Sequence, residues 1–446
     1  MNASPTPSAS LKIGLAGTGT VGQGVWKHLQ GQADLLARRC GRPLEIVQVS
    51  SRNAAKAAAA GIPAALVTPR WQDLVANPDL HVVVELIGGT QDAFDLVKGA
   101  LQAGKHVVTA NKALLAERGA ELFRLAAEKK RSLLYEASVA GGIPLLQAVR
   151  EGLAANRILS LHGIVNGTCN YILTRMEEEG KGYAEILADA KRLGYAEADE
   201  SLDVDGWDAA HKTLVLAALA YGFWPKMSSL AVRGIAGLDL RDIAFARALG
   251  YGIKLLAIIK SVPSGKIEVS VQPTLVPSSH VLASVKGVFN AVLVRGDVVG
   301  DTLYYGRGAG GDATASAVLS DLASLARDGE RAAYNPASGS CGLWNEATPP
   351  GIAAPEEVSG RYYLRLSVED RPGVLARIAT ILGQRNIGIS SVIQPEPGAD
   401  AENGPVPLIF MVHDAQVRNF EEARAEIEAL DVVRGAAVSY RVEDFA

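Results

Sequence analysis

The residues best equipped for chemistry lie between Gly194 and Lys212, in the run GYAEADESLDVDGWDAAHK. Six carboxylates crowd it (Glu197, Asp199, Glu200, Asp203, Asp205 and Asp208), and a lysine closes it. The residues that follow, TLVLAALAYGFW, are almost wholly apolar, which marks a buried helix. Asp208 and Lys212 stand at i and i+4 on that helix, in a row continued by Val215 and Leu219. An acid and a lysine aimed at protein interior are retained only when paired or used. Three uses compete: a structural ion pair, a calcium loop, and a pocket for a polar substrate. The stretch by itself favours the ion pair. The calcium loop fails, because Ser201, Asp203, Asp205 and Gly206 fall on EF-hand positions but Lys212 stands where a bidentate Glu is required.

A second chemical pattern sits near the N-terminus. LKIGLAG (Leu11–Gly17) is a short apolar strand and TGTVGQGVWKHLQ opens a helix, which sets Gly17-x-Gly19-x-x-Gly22 at a strand-to-helix turn. The first glycine allows the tight turn, the second lets backbone reach a pyrophosphate, and the third lets helix pack on strand. The next strand, LEIVQVSS (Leu44–Ser51), ends in Arg52 rather than in an acid. An acid would hold the ribose 2′-hydroxyl of NAD, whereas an arginine meets the 2′-phosphate of NADP, so NADP is favoured over NAD. The alternative for Arg52 is a solvated loop cation. The strand HVVVELIGG (His81–Gly89) ends in Gly88-Gly89, and Val107-Val108 lead to Asn111-Lys112. Ligands bind at the carboxyl ends of such strands. Lys112 is therefore placed to touch cofactor or substrate, or else is a solvated lysine starting a helix.

These groups need elements to hold them. Up to about Ala137 the pattern is βαβαβ, which argues a doubly wound parallel sheet. SLLYEASVAGGIPLLQAVREGLAANRI then carries a glycine turn and an amphipathic helix. HGIVNGTCNYILTRMEEEG reads as strand, turn and helix, with Thr168 or Asn170 as cap. MEEEGKGYAEILADAKRLG reads as a further helix leading into the acidic stretch. Alternating segments between Lys254 and Val299 suggest antiparallel strands with helices packed on one side. Tyr304–Arg327 is a glycine-rich turn running into a helix, suited to an anion; it either returns to the dinucleotide domain or serves as a hinge. Asn335–Gly360, rich in Pro, Gly and Ser, reads as a linker. After it come strand YYLRLSV, a helix with Leu375, Ile378, Ala379 and Leu382 on one face, strands GISSVIQ and VPLIFMVH, helix FEEARAEIEAL and a last strand. That is βαββαβ, a ferredoxin-like unit, which is either regulatory or a structural, dimerising appendage.

The expected fold is thus α/β: a Rossmann-like domain over 11–137 with 306–330 returning to it, an α+β catalytic and dimerisation domain over 138–305, and a ferredoxin-like domain over 361–446. A disordered tail (1–10) and a linker (331–360) complete the division. At 446 residues the chain exceeds one core. A net charge of −4 gives no general attraction to nucleic acid or to anionic membrane. Cys40, Cys169 and Cys341 are odd in number and far apart, which argues against a disulfide framework or zinc cluster and for a reducing cytoplasm. No signal peptide and no membrane-spanning run is expected.

Taken together these residues resemble the monofunctional homoserine dehydrogenase family over nearly the whole chain. The most specific match is Gly194-Tyr195-Ala196-Glu197 through Asp203-Val204-Asp205-Gly206-x-Asp208-x-x-x-Lys212. Val108-Thr109-Ala110-Asn111-Lys112, Asn166-Gly167-Thr168, the Gly17–Gly22 turn and the Gly306–Ala317 segment support it. Asp370-Arg371-Pro372-Gly373-Val374-Leu375 resembles an ACT domain, a module that commonly binds an amino-acid effector. No kinase-like region precedes the dinucleotide domain, so the form fused to aspartate kinase is not expected. One departure is Gly88-Gly89-Thr90-Gln91-Asp92, where the family often has a proline; it touches the cofactor loop only.

The resemblance implies reduction of L-aspartate 4-semialdehyde to L-homoserine with hydride from NADPH or NADH, in threonine, methionine and isoleucine biosynthesis. Lys212 is implied as proton donor and acceptor, Asp208 as its holder, and Lys112 as neighbour of nicotinamide and substrate. Tyr195, Glu197 and Asp203 are implied at the amino-acid end, leaving Asp199 and Glu200 solvated and Asp205 without a role. Gly17, Thr18, Gly19, Thr20, Val21, Gly22, Arg52, Lys112 and Gly311 are implied at the cofactor. Glu136, Val139, Gly141 and Ile143 are implied around a monovalent cation such as Na+. Asp370, Gly373 and Asn386 are implied at an effector, threonine, and the assembly as homodimer or homotetramer. Two alternatives stand beside this: another NAD(P)-dependent amino-acid oxidoreductase, or a non-catalytic metabolite sensor.

Overall fold

The apolar runs LKIGLA, VVVE and HVVT carry almost no polar face, so as strands they must be covered on both sides. The computed structural model describes residues 9–196, 199–328, 350–395 and 404–445 and places these runs in one parallel sheet. The described residues form two compact units. The first is drawn from Met1–Leu161, Asp208–Leu230 and Phe289–Pro349, and the second from His162–Trp207, Ala231–Val288 and Pro350–Ala446.

In the first unit β1 (Leu11–Ala16), β2 (Leu44–Ser50), β3 (Val67–Thr68), β4 (Val82–Glu85), β5 (His106–Thr109) and β6 (Leu133–Leu134) lie in the order β3-β2-β1-β4-β5-β6, all parallel. The order reverses at β1, and the crevice at that reversal is where such sheets take a dinucleotide. Helices Thr20–Gly31 and Gly311–Asp328 cover one core, in which Val25 and Leu29 meet Ile13, Leu15, Val84, Val318 and Leu322. Each such side chain contributes about 1.5–3 kcal/mol by leaving water, and Leu322→Ala would cost about 2–5 kcal/mol through the cavity it leaves. The two helices approach closely because Gly24 has no side chain. A Cβ there would meet the Gly311 carbonyl oxygen at 2.8 Å. Helix Trp207–Tyr221 is buried at every position but Trp207 and His211, as its sequence requires. The antiparallel hairpin Phe289–Gly296 with Gly300–Arg307 completes the unit.

The second unit is built on long antiparallel strands Tyr251–Ser261 and Ile267–Pro277, paired along their whole length. Helices Gly167–Glu179, Tyr183–Arg192 and Leu240–Ala248 accompany them. The segment MEEEGKGYAEILADAKRLG is thus two helices rather than one, because Gly180 adopts a left-handed conformation (φ 66°) and ends the first. Its cap is Asn166, not Thr168 or Asn170: the Asn166 side-chain oxygen accepts the Cys169 N–H at 2.8 Å. The C-terminal βαββαβ set has strand order Val438–Val442, Ser359–Val368, Val406–Gln416, Ile389–Ile393. Val438–Val442 also pairs in parallel with Ile267–Pro277, so the two sheets are continuous. Within the stretch expected as a linker, Ile352 bridges Ile267; most of that linker, the first eight residues of the tail and Cys341 lie outside the described residues. Among the described residues no helix is long and apolar enough to cross a membrane.

Candidate functional site

The glycine turn does what its spacing predicts. Gly17 has φ +104°, and a Cβ on it would run into the Leu86 carbonyl. A Cβ on Gly22 would strike the Gly17 carbonyl, whereas one on Gly19 would meet nothing within 4 Å. Gly19 caps helix Thr20–Gly31 without a side-chain hydrogen bond, and the first turn holds no acid. The helix therefore presents unspent N–H groups and a positive dipole end, the arrangement that receives an anion. Thr18 is buried, its Oγ1 2.6 Å from Ser51 Oγ, and Val21 packs on the core. Gly311 lies against Thr20, a Cβ there falling 2.9 Å from its methyl carbon.

Beside the turn lies a cleft of about 460 Å³, lined by Gly17, Gly19, Arg52, Lys56, Arg70 and Gly88 among others. Arg70 is committed to Asp73 at 2.5 Å. Arg52 and Lys56 leave two further cations on the cleft, more basic charge than a 2′-hydroxyl needs. The glycine turn at a helix N-terminus and the basic cleft beside it fit a dinucleotide.

The reactive cluster is an acid between two lysines. Lys212 Nζ lies 2.8 Å from Asp208 Oδ2, and Lys112 Nζ lies 3.2 Å from Asp208 Oδ1. The Asp208 and Lys212 side chains are 10% and 11% exposed, Lys112 33%. Both ammoniums meet the one carboxylate, and Lys112 forms the more open side of the cluster. Lys112 begins helix Lys112–Lys129, whose cap Asn111 accepts the Leu114 N–H at 3.0 Å and donates to the Gly89 carbonyl at 2.7 Å. Glu85, fully buried at the end of β4, accepts from Thr109 Oγ1 at 2.5 Å and from the Ile87 N–H at 3.0 Å. Burial pushes its carboxyl up, against the pull of those donors. Glu85 was not singled out in the sequence, and Thr109 only as part of the Val108–Lys112 match. The only signal for Glu85 is an acid closing an otherwise apolar strand just before Gly88-Gly89. His211, also missed, lies at i+3 from Asp208, and its buried Nδ1 has no hydrogen-bond partner among the described residues.

The other expected residues fall as follows. Asp203 accepts from Asn166 Nδ2 at 2.7 Å and from Thr168 Oγ1 at 3.2 Å. Thr168 Oγ1 shares that single proton with the Tyr195 carbonyl at 2.8 Å, and the Tyr195 ring packs tilted on Tyr171. Glu197 lies outside the described residues. Asp199 is exposed, and Glu200 pairs with Lys191 at 2.5 Å. Glu136 is buried, and its carboxylate accepts the N–H groups of Leu146 and Gln147 at 3.0 and 2.7 Å. With that side chain committed, a cation near Glu136, Val139, Gly141 and Ile143 would rest on main-chain oxygens; Ala140 between them has φ +48°. Among the described residues no group of three His, Cys, Asp or Glu side chains could hold a metal. Asp370 and Gly373 line a cleft of about 330 Å³ with Arg371, Leu375 and Gln394. Asn386 occupies the left-handed turn after helix Val374–Gln384 (φ +57°) and is not among that cleft's lining residues.

Known proteins match these features. Residues 17–136 match the family "Homoserine dehydrogenase, NAD binding domain", 144–323 the family "Homoserine dehydrogenase", and 362–432 the ACT domain. The homoserine dehydrogenase of Pseudomonas aeruginosa is 45% identical over 433 residues, covering 97% of this chain and 99% of that protein. The crystal structure of a homoserine dehydrogenase from Thiobacillus denitrificans superposes with TM-score 0.91 at 42% identity, covering 99% of this chain and 100% of that one. A hyperthermophilic archaeal homoserine dehydrogenase in complex with NADPH is 28% identical, with TM-score 0.61 over 70% of this chain and 96% of that one.

Proposed function

The chain belongs to the homoserine dehydrogenase family, and from that premise we propose that Lys212, Asp208 and Lys112 carry the proton chemistry of the reaction. The enzyme interconverts L-aspartate 4-semialdehyde and L-homoserine. A dinucleotide, when bound, supplies hydride to the aldehyde carbon or takes it up in the reverse direction. As the carbonyl carbon gains hydride its oxygen gains charge and then a proton; Lys212 gives that proton and accepts it back in oxidation. The acid held between two ammoniums is the observation that carries this assignment. Asp208 fixes the Lys212 amine, and the Lys112 ammonium beside it stabilises the developing alkoxide. Asp203, with Tyr195 and Glu197, takes the substrate's α-ammonium. Lys212→Ala is expected to lower turnover by about 10²–10⁴-fold, with NADP binding by fluorescence titration retained. Turnover near that of the parent enzyme would remove Lys212 from this role.

The cofactor is NADP in preference to NAD, supported by Arg52 and Lys56 on the cleft. Arg52→Ala is expected to lower kcat/KM for NADP about tenfold or more, as loss of a charge-assisted hydrogen bond does, and to leave NAD unaffected. Equal losses with both would count against 2′-phosphate recognition. Glu136, Val139, Gly141 and Ile143 hold a monovalent cation through main-chain oxygens. The cleft beside Asp370 takes an amino acid, threonine, as feedback effector, with Gly373 leaving room and Asn386 shaping a nearby turn. Exposed Leu303 and Tyr305 on the hairpin support self-association as homodimer or homotetramer. Buried thiols at Cys40 and Cys169 support a cytoplasmic setting.

A further inference from the structure

Lys254 on strand Tyr251–Ser261 is only 2% exposed. Its amine donates to the Val285 carbonyl at 2.6 Å and to Asn170 Oδ1 at 3.3 Å, with no carboxylate within 4 Å among the described residues. The charges that act on it are Glu177 and Glu178 on the Asn170 helix, and Lys286, which is itself tied to Glu178 at 2.6 Å and feels Arg247. Burial pushes the Lys254 amine down to about 8. A buried, uncompensated amine is costly, and two buried acceptors could be met more cheaply by neutral donors. The lysine combines reach from the sheet with three donors.

What it grips leads to the substrate acid. Asn170 Nδ2 donates to the carbonyls of Gly287 at 2.9 Å and Val285 at 3.3 Å, and Thr174 Oγ1 accepts the Gly287 N–H at 3.1 Å. Gly167 sits so close to this loop that a Cβ would lie 2.8 Å from the Val288 carbonyl oxygen. The first two turns of helix Gly167–Glu179 are thereby seated on residues 285–288. At the start of that helix Asn166 and Thr168 hold both oxygens of Asp203.

We propose that Lys254 is a positioning residue for the amino-acid end of the substrate, setting through Asn170 and the 285–288 loop the place at which Asn166 and Thr168 present Asp203. This rests on Asp203 binding the α-ammonium. Lys254→Met in the full-length enzyme is expected to raise the homoserine KM about tenfold while kcat and the NADP KM stay nearly unchanged. Asp203→Asn should raise the same KM, and the double variant should be little worse than Asp203→Asn alone, since both act on one contact. An unchanged homoserine KM in Lys254→Met beside a raised one in Asp203→Asn would overturn the positioning role and leave the Asp203 assignment standing. Multiplying effects in the double variant would overturn it too. An unchanged KM in Asp203→Asn itself would remove the Asp203 assignment and this proposal together. Should Lys254→Met fail to fold, Asn170→Ser replaces it with the same expected and overturning results.

Discussion

Two buried acid–cation clusters invite comparison, one in each unit. Asp208 in the first is shared by Lys212 and Lys112 and opens toward solvent at Lys112. Asp242 in the second is 0% exposed and fully spent on its neighbours. Arg365 grips it with Nε to Oδ1 at 2.5 Å and Nη2 to Oδ2 at 2.8 Å, Tyr363 donates at 2.8 Å, and Tyr440 stands at 3.4 Å. One cluster sets two lysines on one acid and has an open side. The other closes its acid off with a bidentate guanidinium and two phenols. Burial of ionised groups is common to both, so burial alone does not mark a reactive site; a movable ammonium and access do.

The largest effects should separate the two by kind. Asp208→Leu is expected to lower kcat/KM of the folded enzyme by about 10²–10⁴-fold, the scale of a lost acid–base arrangement, besides the stability lost by taking the carboxylate from buried Lys212. Asp242→Leu should act on stability alone. It leaves the buried Arg365 guanidinium with Asp239, at 3.5 Å, as its remaining carboxylate among the described residues, at a cost of up to about 3–5 kcal/mol in denaturant unfolding, and leaves the kinetics of the folded fraction intact. The contrast breaks if Asp242→Leu slows turnover of folded enzyme as much as Asp208→Leu does. A smaller version removes one donor: Tyr363→Phe should cost about 1.5–3 kcal/mol, as for a hydrogen bond to a charged group. Burial beside Asp242 holds the Tyr363 phenol far above its ordinary range. The loss should therefore be the same at pH 6 and pH 9. A loss that changes with pH would show that the phenol titrates.

How far the sequence disclosed these clusters differs in the same way. Asp208 and Lys212 were legible because both lie on one helix at i, i+4, followed by a run too apolar to face water. The parallel sheet was legible because its strands lack a polar face and its glycines mark the turn. Asp242 and Arg365 are 123 residues apart on a helix and a strand, and neither element's periodicity points at the other. Asn166 was missed as a cap because Thr168 and Asn170 offer the same chemistry nearby, and only backbone geometry chooses among them. Glu85 and Lys254 were passed over for a like reason. Each is a charged residue inside a strand, and its partners come from β5 or from a distant loop.

The smallest expected effect sharpens the comparison at His211, which lies next to the first cluster and has no counterpart in the second. Burial lowers the affinity of its imidazole for a proton, with Lys112 and Lys212 acting the same way and Asp208 and Glu117 opposing. Around pH 6.5 the unfolded chain therefore binds more protons than the folded one, so stability rises with pH through that window and is lost as pH falls through it. His211→Gln removes the titrating group. The difference in thermal midpoint between parent and variant should shift in the variant's favour from pH 8 to pH 5, whereas for Tyr363→Phe it should stay level. At pH 8 the imidazole is neutral, so His211→Gln should leave kcat/KM little changed there. A flat difference between pH 8 and pH 5 would mean that the imidazole protonates as it does in water. At mildly acid pH an imidazolium would then join Lys112 and Lys212 beside Asp208.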